Sequence, residues 1–334
     1  MERKNKENLL FIYKKRNTFV VQDINILQKD YNLKDIAFYP FSSSFHIMMN
    51  LLKQFFFLVF WGWKYKKMFI WFADYHAFLP VLFAKLFHKS VFVVNGGYDV
   101  NFSTEFNYGA VKHPIRAKLV KFVLSNATYC IPVTKELIPA ILRISSKANI
   151  KTIPTGYVVE DWHYKEGERK YFAVTVSITN DKERYLVKGI DRFIELANAM
   201  PDKLFLMVGT TKEFLSHLTN VPSNLEVCSH VTHKELNNIY QNSLYYAQLS
   251  RSEGLPSTIC EAMLCGSIPV AMNVGGVANL VENHGILLQE WNTAETIKLL
   301  TENSYKEEQR RKNRDFIVTN YSIDKRYNDL MSIM

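Results

Sequence analysis

The feature that most constrains this chain is a repeated alternation of short, continuous apolar runs with segments whose apolar residues recur at helical spacing. Strands that are apolar on both faces and alternate with helices are typical of parallel sheets covered on both sides. The pattern therefore predicts an α/β protein with two doubly wound domains. The runs lie at 8–13, 68–73, 90–94, 128–133, 150–154, 172–177, 203–209, 225–229, 244–250 and 267–272. The helix-period segments lie at 45–63, 79–88, 113–125, 134–144, 190–200, 232–242 and 257–265.

The two halves of the chain differ in charge and in aromatic content. Of 41 Lys and Arg and 32 Asp and Glu, 23 and 11 lie in 1–165, a net charge of +12 that leaves −3 for the rest. That half also holds 32 of the 46 aromatic residues. We therefore predict two domains, at 1–162 and 163–320, that face different partners. A polar linker is predicted at 160–170, and a last helix at 321–334 is a candidate to pack back on the first domain.

Composition also limits the cellular setting. The cysteines have no paired spacing, which argues against a zinc site or a disulfide framework and fits a reducing compartment. We expect no signal peptide, because the first residues, MERKNKENLL, have only a short apolar stretch. The apolar stretches at 55–63 and 68–84 are bounded or broken by charged residues and proline, so we expect no transmembrane helix. A cytoplasmic protein is the expectation, with peripheral contact at the inner face of the membrane as an addition. The cysteines are Cys130, Cys228, Cys260 and Cys265.

Chemistry concentrates in residues 250–276, SRSEGLPSTICEAMLCGSIPVAMNVGG. The segment predicts a tight loop at Gly254, a helix capped by Ser257 or Thr258, a strand and a glycine-rich loop. A helix N-terminus beside a glycine loop offers free N–H groups and a positive dipole to a phosphate.

Two glutamates bracket this element. Glu253 follows a strand, at the edge where ligands bind in open α/β sheets. Glu261 lies about one turn into the helix, where a carboxylate would repel phosphate. A neutral diol such as a ribose is its natural partner, held by two charge-assisted hydrogen bonds.

The order of these residues resembles the nucleotide-sugar site of the family-4 (group 1) retaining glycosyltransferases of GT-B fold. Their pattern is Glu-Gly-x-Pro, Glu-Ala-Met, a Gly-x-Pro-Val strand and a Gly-Gly loop, and nearly every marker occurs here in order. The resemblance implies two Rossmann-like domains facing a cleft, an acceptor-binding domain at 1–162 and a nucleotide-sugar-binding domain at 163–320. It also implies that Glu253 contacts the donor sugar and that Glu261 holds the ribose. The residues implied to line sugar and phosphate are Gly254, Leu255, Pro256 and Ser257.

The segment 176–201 is similar to the Arg…Lys-Gly segment of that family. Lys188 and Gly189 match the family's Lys-Gly. The leaving group is a diphosphate, and the chain has no Asp-x-Asp, so side-chain cations must supply the positive charge. Lys188 is the first such cation, and either Arg184 or Lys182 is the second. No metal and no other cofactor is expected.

Two further positions follow from the resemblance. His230 and Val231 are implied to lie by the nucleotide base, with main-chain contacts. The family's Gly-Arg at the end of the preceding strand is not matched, because Ser177 and Ile178 stand there.

Two loops of the amino-terminal half, 72–80 and 93–100, each follow a strand and so lie at the carboxyl edge of the predicted sheet. Many family members have a His-Gly near the second loop, where this chain has Asn95-Gly96, and KKRNTF replaces a Gly-rich loop at 14–19. We predict that His76 or Asp99 takes the place of the acceptor histidine as a catalytic group. The predicted acceptor residues are Asp74, His76, Tyr98 and Asp99.

One basic patch stands outside these motifs. Between 112 and 123, cations alternate at helical spacing with apolar residues, and together with 51–67 this suits a surface helix on anionic lipid. An ordinary core helix with solvated lysines is the alternative. The aromatics lie in apolar runs and not in a basic stacking strip, which argues against nucleic acid. The patch comprises Lys112, Arg116, Lys118 and Lys121, with Ile115, Leu119, Phe122 and Val123.

The sequence therefore favours a metal-independent, retaining glycosyltransferase of hexosyl type. It would move a sugar from a UDP- or GDP-sugar to a saccharide or lipid-linked acceptor, in cell-surface polysaccharide or glycolipid synthesis. A sugar-nucleotide epimerase of the same fold is one alternative, and a non-catalytic, membrane-associated nucleotide-binding protein is another. A dinucleotide-dependent oxidoreductase is disfavoured because no Gly-x-Gly-x-x-Gly occurs.

Overall fold

A computed structural model describes residues 6–38, 44–102, 109–179, 181–211, 213–214, 221–303 and 305–334. The chain divides into two compact units, Met1–Gly156 with Ile323–Met334 and Tyr157–Ser322. The first boundary thus lies shortly before the predicted one at 162, and the chain returns to the first unit two residues after 321. The two units are Rossmann-like parallel sheets with surrounding helices, as the sequence predicts.

The first unit is built on a parallel sheet in the order β2-β1-β3-β4-β5. Its strands are β1 (Glu7–Tyr13), β2 (Tyr31–Ala37), β3 (Lys67–Trp71), β4 (Ser90–Asn95) and β5 (Tyr129–Pro132). Its helices are α1 (Thr18–Leu27), α2 (Ser44–Trp61), α3 (Tyr75–Leu86), α4 (Pro114–Asn126), α5 (Ile138–Ile144) and, from the chain's end, α13 (Ile323–Met331).

The strand order fixes which helices share a face of this sheet. The chain steps one way from β1 to β2 and then the other way through β3, β4 and β5. Because such crossovers are right-handed, α1 covers one face while α2, α3 and α4 cover the other. On the α1 side, the Arg326 guanidinium of α13 donates to both carboxylate oxygens of Asp23, at 2.6 and 2.7 Å. Trp71 Nε1 donates to the same carboxylate at 2.8 Å.

The sequence reading and the fold differ at the edges of this sheet. Strand β2, YNLKDIA, has only one fully buried residue and no continuous apolar run, so its pattern did not predict a strand. The predicted strand at 150–154 is reduced to a single bridge between Ile150 and Cys130. An edge strand has a neighbour on one side only, so its composition is less apolar than that of a central strand.

The second unit is built on a parallel sheet in the order β11-β10-β9-β6-β7-β8. Its strands are β6 (Tyr171–Thr179), β7 (Phe205–Thr210), β8 (Leu225–Cys228), β9 (Ser243–Gln248), β10 (Ile268–Met272) and β11 (Ile286–Leu288). Its helices are α6 (Lys182–Val187), α7 (Ile190–Ala199), α8 (His233–Gln241), α9 (Ser257–Leu264), α10 (Ala278–Val281), α11 (Thr293–Glu302) and α12 (Glu307–Tyr321).

The segment expected to be the linker, 160–170, is packed into the second unit. Trp162 is buried and its ring lies 5.8 Å from that of Tyr240. Arg169 donates to the carbonyl oxygens of Tyr240 and Gln241 at 3.2 and 2.8 Å. Arg169 thus satisfies main-chain carbonyls of the second unit, and a polar composition alone does not separate such a packed segment from a linker.

Each sheet has one place where its strand order reverses. In the second unit the chain runs from β6 outward to β8, returns to β9 beside β6, and continues to the opposite edge. In the first unit the reversal lies between β1 and β3. Helices leave these paired strands toward opposite faces, which opens a crevice at their carboxyl ends, and ligands bind there in open α/β sheets.

The Arg326–Asp23 pair gives a stability prediction. Replacing Arg326 with Met leaves a buried carboxylate without its cation, and we expect the free energy of unfolding to fall by about 3–5 kcal/mol. Chemical denaturation measures this. The neighbouring exposed Lys325→Met serves as control, with a change of at most about 1 kcal/mol. Equal losses for the two variants would contradict the assignment.

Candidate active site

The turn after α6 brings a lysine to the carboxyl end of β9. Gly189 has φ +67°, and a Cβ at this position would clash with the Leu249 carbonyl oxygen. Glycine is therefore required both for the left-handed backbone and for the close approach. Lys188 is the C-cap residue of α6, immediately before this turn, so backbone geometry explains the glycine of the Lys-Gly pair and places the lysine beside it.

Lys188 and Glu253 form an ion pair where the strand order of the second unit reverses. The distance from Lys188 Nζ to Glu253 Oε1 is 2.7 Å. The carboxylate is largely buried, with 9% of its side chain exposed, whereas 34% of the lysine side chain is exposed. The partly exposed Lys188 is thus positioned by a buried carboxylate, which other protein groups hold in place.

Gln248 supplies that support. Its Nε2 donates to Glu253 Oε1 at 2.8 Å, and its Oε1 accepts from the Tyr246 hydroxyl at 2.7 Å and from Thr258 Oγ1 at 3.1 Å. This network joins the end of β9 to the start of α9. The sequence analysis missed Gln248, although an amide at the end of the apolar run 244–250 was the available signal.

Helix α9 begins without a side-chain cap. Pro256 is its N-cap residue, Ser257 is its first residue, and no side-chain capping hydrogen bond is formed at this end of the helix. The predicted cap by Ser257 or Thr258 is therefore wrong, since Thr258 donates to Gln248 instead. Uncapped N–H groups at a helix N-terminus suit an anion.

The Gly-Gly loop after β10 holds the backbone of the Glu253 loop in place. Gly275 has φ +55°, and a Cβ there would clash with the Glu253 carbonyl oxygen. The N–H of Gly276 donates to the Gly254 carbonyl at 2.7 Å. The clash explains why the motif needs glycine at position 275 of this loop.

Glu261 lies inside α9 with 9% of its surface exposed. Burial raises the pKa of this carboxyl to about 7, although a hydrogen bond from Tyr240 opposes the rise. The Tyr240 hydroxyl lies 3.4 Å from Glu261 Oε2. The group is therefore poised between its acid and carboxylate forms near neutral pH.

The remaining predicted donor residues lie apart from this network. Arg184 and Lys182 are exposed on α6, and Arg184 Nε lies 3.5 Å from Asp181. His230 is exposed and Val231 half-buried in the loop after β8. Their roles toward phosphate and base stay predictions.

An arginine that the sequence analysis did not single out also braces this edge. Arg251 pairs with Asp191 through two bonds of 2.8 and 2.6 Å. Its own N–H donates to the Val187 carbonyl at 2.8 Å. The pair ties the start of α7 to the loop that carries Glu253.

In the first unit, the edge where β1 and β3 end holds a buried carboxylate between two cations. Asp74 caps α3 by accepting from the Tyr75 N–H at 2.7 Å, and it pairs with Lys14 and with Arg116, whose Nε lies 2.6 Å from Oδ1. Burial alone would raise the pKa of Asp74, but the two cations outweigh it and hold the pKa at about 2. Lys14, in the segment that replaces the Gly-rich loop, and Arg116 were not predicted for this site.

Aromatic rings adjoin the same cluster. Lys14 Nζ lies 4.5 Å from the centre of the Tyr75 ring, and the Arg116 guanidinium lies 5.5 Å from that of Tyr98. Tyr98, a predicted acceptor residue, is partly exposed. The edge thus combines two cations, one carboxylate and two aromatic faces.

The two predicted catalytic residues of this unit are fully buried. His76 Nε2 lies 2.8 Å from the Trp71 carbonyl, and burial lowers the pKa of the imidazole to about 4. Asp99 accepts hydrogen bonds from Asn95 Nδ2 at 2.7 Å and from the Ala73 N–H at 2.9 Å, and burial raises its pKa. This geometry favours a positioning role for both, and their catalytic roles stay predictions.

Comparison with known proteins decides the family of the second unit. Residues 162–315 match the family described as glycosyl transferases group 1. The second unit is a group 1 glycosyltransferase domain. No significant match is found among curated protein sequences.

Several solved structures align with almost the whole length of this chain. Sucrose-phosphate synthase from Thermosynechococcus elongatus aligns at 13% identity over 98% of both chains, with a TM-score of 0.78. HepE from Anabaena, in complex with UDP, aligns at 13% identity over 97% of this chain and 98% of its own, with a TM-score of 0.72. A glycosyltransferase from Rickettsia africae aligns at 14% identity over 99% and 98%, with a TM-score of 0.69. At these identities the likeness establishes the fold, which is that of the GT-B glycosyltransferases.

The raised pKa of Glu261 gives a test by pH. Between pH 4.5, the ordinary pKa of a glutamate, and about pH 7, the folded state keeps the proton of the Glu261 carboxyl, whereas the unfolded state loses it. Glu261 should therefore lower the stability of the second unit by about 3 kcal/mol as pH rises through this window. Denaturation of the wild type and of Glu261→Gln measures the difference, and parallel pH profiles for the two would contradict it.

Proposed function

We propose that the protein transfers a hexosyl group from a UDP- or GDP-sugar to a saccharide or lipid-linked acceptor, with retention of anomeric configuration. The observation that carries the proposal is the Lys188–Glu253 pair at the switch point of a group 1 glycosyltransferase domain. HepE, which shares the fold, has been solved with UDP and with UDP-glucose, and this favours a UDP-sugar as the donor.

Lys188 is the group that meets the leaving diphosphate. Its ammonium is exposed beside the uncapped N-terminus of α9, and both carry positive charge toward the same edge. When the donor arrives, phosphate oxygens replace Glu253 as the partner of Lys188. The charge that develops on the departing diphosphate is then stabilised by a cation already in position.

Glu253 acts on the sugar. Once Lys188 turns to the phosphate, the carboxylate is still held by Gln248. It then accepts hydrogen bonds from donor hydroxyls, which orients the anomeric carbon toward the acceptor. The departing phosphate oxygen accepts the proton of the acceptor hydroxyl on the same face, so no carboxylate nucleophile is needed.

Glu261 holds the ribose. Two hydroxyls of a diol match the two oxygens of its carboxylate, and binding favours the ionised form. Because the pKa of the Glu261 carboxyl in the nucleotide-free protein is about 7, nucleotide binding near neutral pH is accompanied by release of a proton from this group.

Metal independence is part of the proposal. Among the described residues, no group of three or more His, Cys, Asp and Glu is placed to hold a metal ion. The positive charge that the reaction needs is assigned instead to Lys188 and the helix terminus, with Arg184 or Lys182 as a second cation.

The first unit suggests the chemistry of the acceptor. Lys14, Arg116 and Asp74 together carry a net positive charge, beside the rings of Tyr75 and Tyr98. Aromatic faces suit sugar rings, and a net cation suits a phosphate. An acceptor that joins a saccharide to an anionic group, as in lipid-linked intermediates of cell-surface polysaccharide or glycolipid synthesis, fits this edge.

Replacing Lys188 with Ala tests the diphosphate role. We expect turnover to fall about a hundred- to a thousandfold, corresponding to about 2.7–4 kcal/mol of transition-state stabilisation. Lys234→Ala, an exposed lysine on α8, is the matched control and should leave turnover unchanged. EDTA should also leave it unchanged. Loss of turnover on chelation, with recovery on adding manganese, would contradict the proposal that Lys188 neutralises the diphosphate without a metal ion.

Substitutions of Glu253 and Glu261 should affect different quantities. Glu261→Gln loses charge-assisted bonds to the ribose, and we expect UDP to bind with about 1.5–3 kcal/mol less free energy. Glu253→Gln should leave UDP affinity unchanged or slightly higher, because Lys188 loses its competing partner, while turnover falls. Calorimetry with UDP decides this, and equal losses of affinity would contradict the division of roles.

A further inference from the structure

The outward side of α2 is apolar, the reverse of an ordinary surface helix. Its exposed residues include Phe45, Phe56 and Phe60, with 61, 53 and 65% of their surface open to solvent. The surface of α2 and the turn after it, represented by Phe45, Met49, Leu52, Phe56, Phe60 and Trp63, is called the α2 face below. The 18 residues of α2 make this face about 27 Å long.

The opposite side of α2 is fixed to the first unit. Leu58 is buried, and Gln54 Nε2 donates to the His76 carbonyl at 2.9 Å. At the turn, a Cβ on Gly62 would lie 2.9 Å from the Phe83 ring, so the helix end packs closely on α3. Phe45–Lys64 is long and apolar enough to cross a membrane, but crossing would strip these contacts from the unit. The helix is therefore placed to lie along an interface.

The apolar surface extends onto the end of α3. The rings of Trp63 and Phe87 are 4.1 Å apart, and Leu86 beside them is exposed. Exposed patches of this extent mark interaction sites in soluble proteins. Tryptophan and phenylalanine at the rim of such a surface suit the boundary between lipid headgroups and acyl chains.

The charge around the α2 face has one sign. Between residues 44 and 98 the sequence contains a single acidic residue, Asp74, which is buried and paired with Lys14 and Arg116. The exposed cations of that stretch are Lys53, Lys64, Lys66 and Lys85. Two copies joined through this face would bring like charges together, which disfavours a homodimer. An anionic surface is its electrostatic complement.

We propose that the α2 face docks flat on an anionic phospholipid bilayer, with its aromatic side chains in the headgroup boundary and its lysines on lipid phosphates. Long lysine stems reach past apolar surface to place their ammonium groups at the headgroups. The docking would hold the first unit, and with it the proposed acceptor edge, at the membrane.

This assignment narrows the membrane contact predicted from sequence. The segment 112–123, with Lys112, Arg116, Lys118 and Lys121, was expected to share that contact with residues 51–67. Arg116 is instead committed to Asp74, and Ile115, expected on the packed side, is 78% exposed. Helix α4 shares a face of the sheet with α2, so Lys118 and Lys121 add cations at the flank.

Vesicle co-sedimentation tests the proposal on the full chain. Vesicles of phosphatidylcholine with about 30% phosphatidylglycerol should bind the protein at least tenfold better than phosphatidylcholine alone, and about 0.5 M salt should release most of it. Combining Met49→Gln, Phe56→Gln and Phe60→Gln should reduce binding at least tenfold. The matched control, Leu142→Gln with Val221→Gln, removes exposed apolar residues elsewhere and should change nothing.

The charge requirement has its own pair of variants. Lys53→Gln, Lys64→Gln and Lys85→Gln together should weaken binding at least tenfold, whereas Lys34→Gln, Lys147→Gln and Lys151→Gln should not. Thermal shifts with UDP should be the same in every variant, which separates this proposal from the catalytic one.

Three outcomes would overturn the docking proposal. One is equal binding to neutral and anionic vesicles. Another is a dimer in solution that becomes monomeric in the α2-face variant while no vesicle is bound. The third is extraction from membranes by detergent only, at any salt, which would indicate a spanning helix.

Discussion

Both units depend on the same topological constraint, the reversal of strand order beside the first strand of a parallel sheet. At each reversal the carboxyl ends of two adjacent strands meet, and in each unit a lysine and a carboxylate are placed there. Lys188 pairs with Glu253 in the second unit and Lys14 with Asp74 in the first. The two pairs differ in what surrounds them. Lys188 is presented to solvent by an amide-braced carboxylate, whereas Asp74 is shared between two cations and also caps a helix.

The sequence predicted the fold because its central strands are buried on both faces and therefore apolar throughout. It predicted the glycine turns beside Lys188 and Glu253 for a related reason. Gly189 and Gly275 adopt positive φ and lie against carbonyl oxygens. Only glycine fits these two positions, so the glycines in the sequence indicate the turns. A strand at the edge of a sheet, such as β2, needs fewer apolar residues, so the pattern of apolar runs does not predict it.

The edge of the first sheet, where acceptor residues were expected, was predicted less completely, for a physical reason. Asp99 and His76 are polar residues at strand ends, and the same pattern arises whether such a group faces a ligand or ties two loops together. Only three-dimensional contacts distinguish these cases, and here both side chains are buried against main-chain groups. Lys14 and Arg116 are far apart in sequence and converge only through Asp74. The sequence predicted a surface contact at 51–67, but which side chains of α2 are exposed follows only from the three-dimensional packing.

The central claim is that Lys188 exchanges Glu253 for the donor diphosphate. A crystal structure with a bound UDP-sugar tests it most directly, through two distances. The account predicts Lys188 Nζ within about 3 Å of a phosphate oxygen and no longer in hydrogen-bond contact with Glu253, whose carboxylate faces the sugar. A bound donor with the Lys188–Glu253 pair intact at 2.7 Å, and its diphosphate held by other groups, would contradict it.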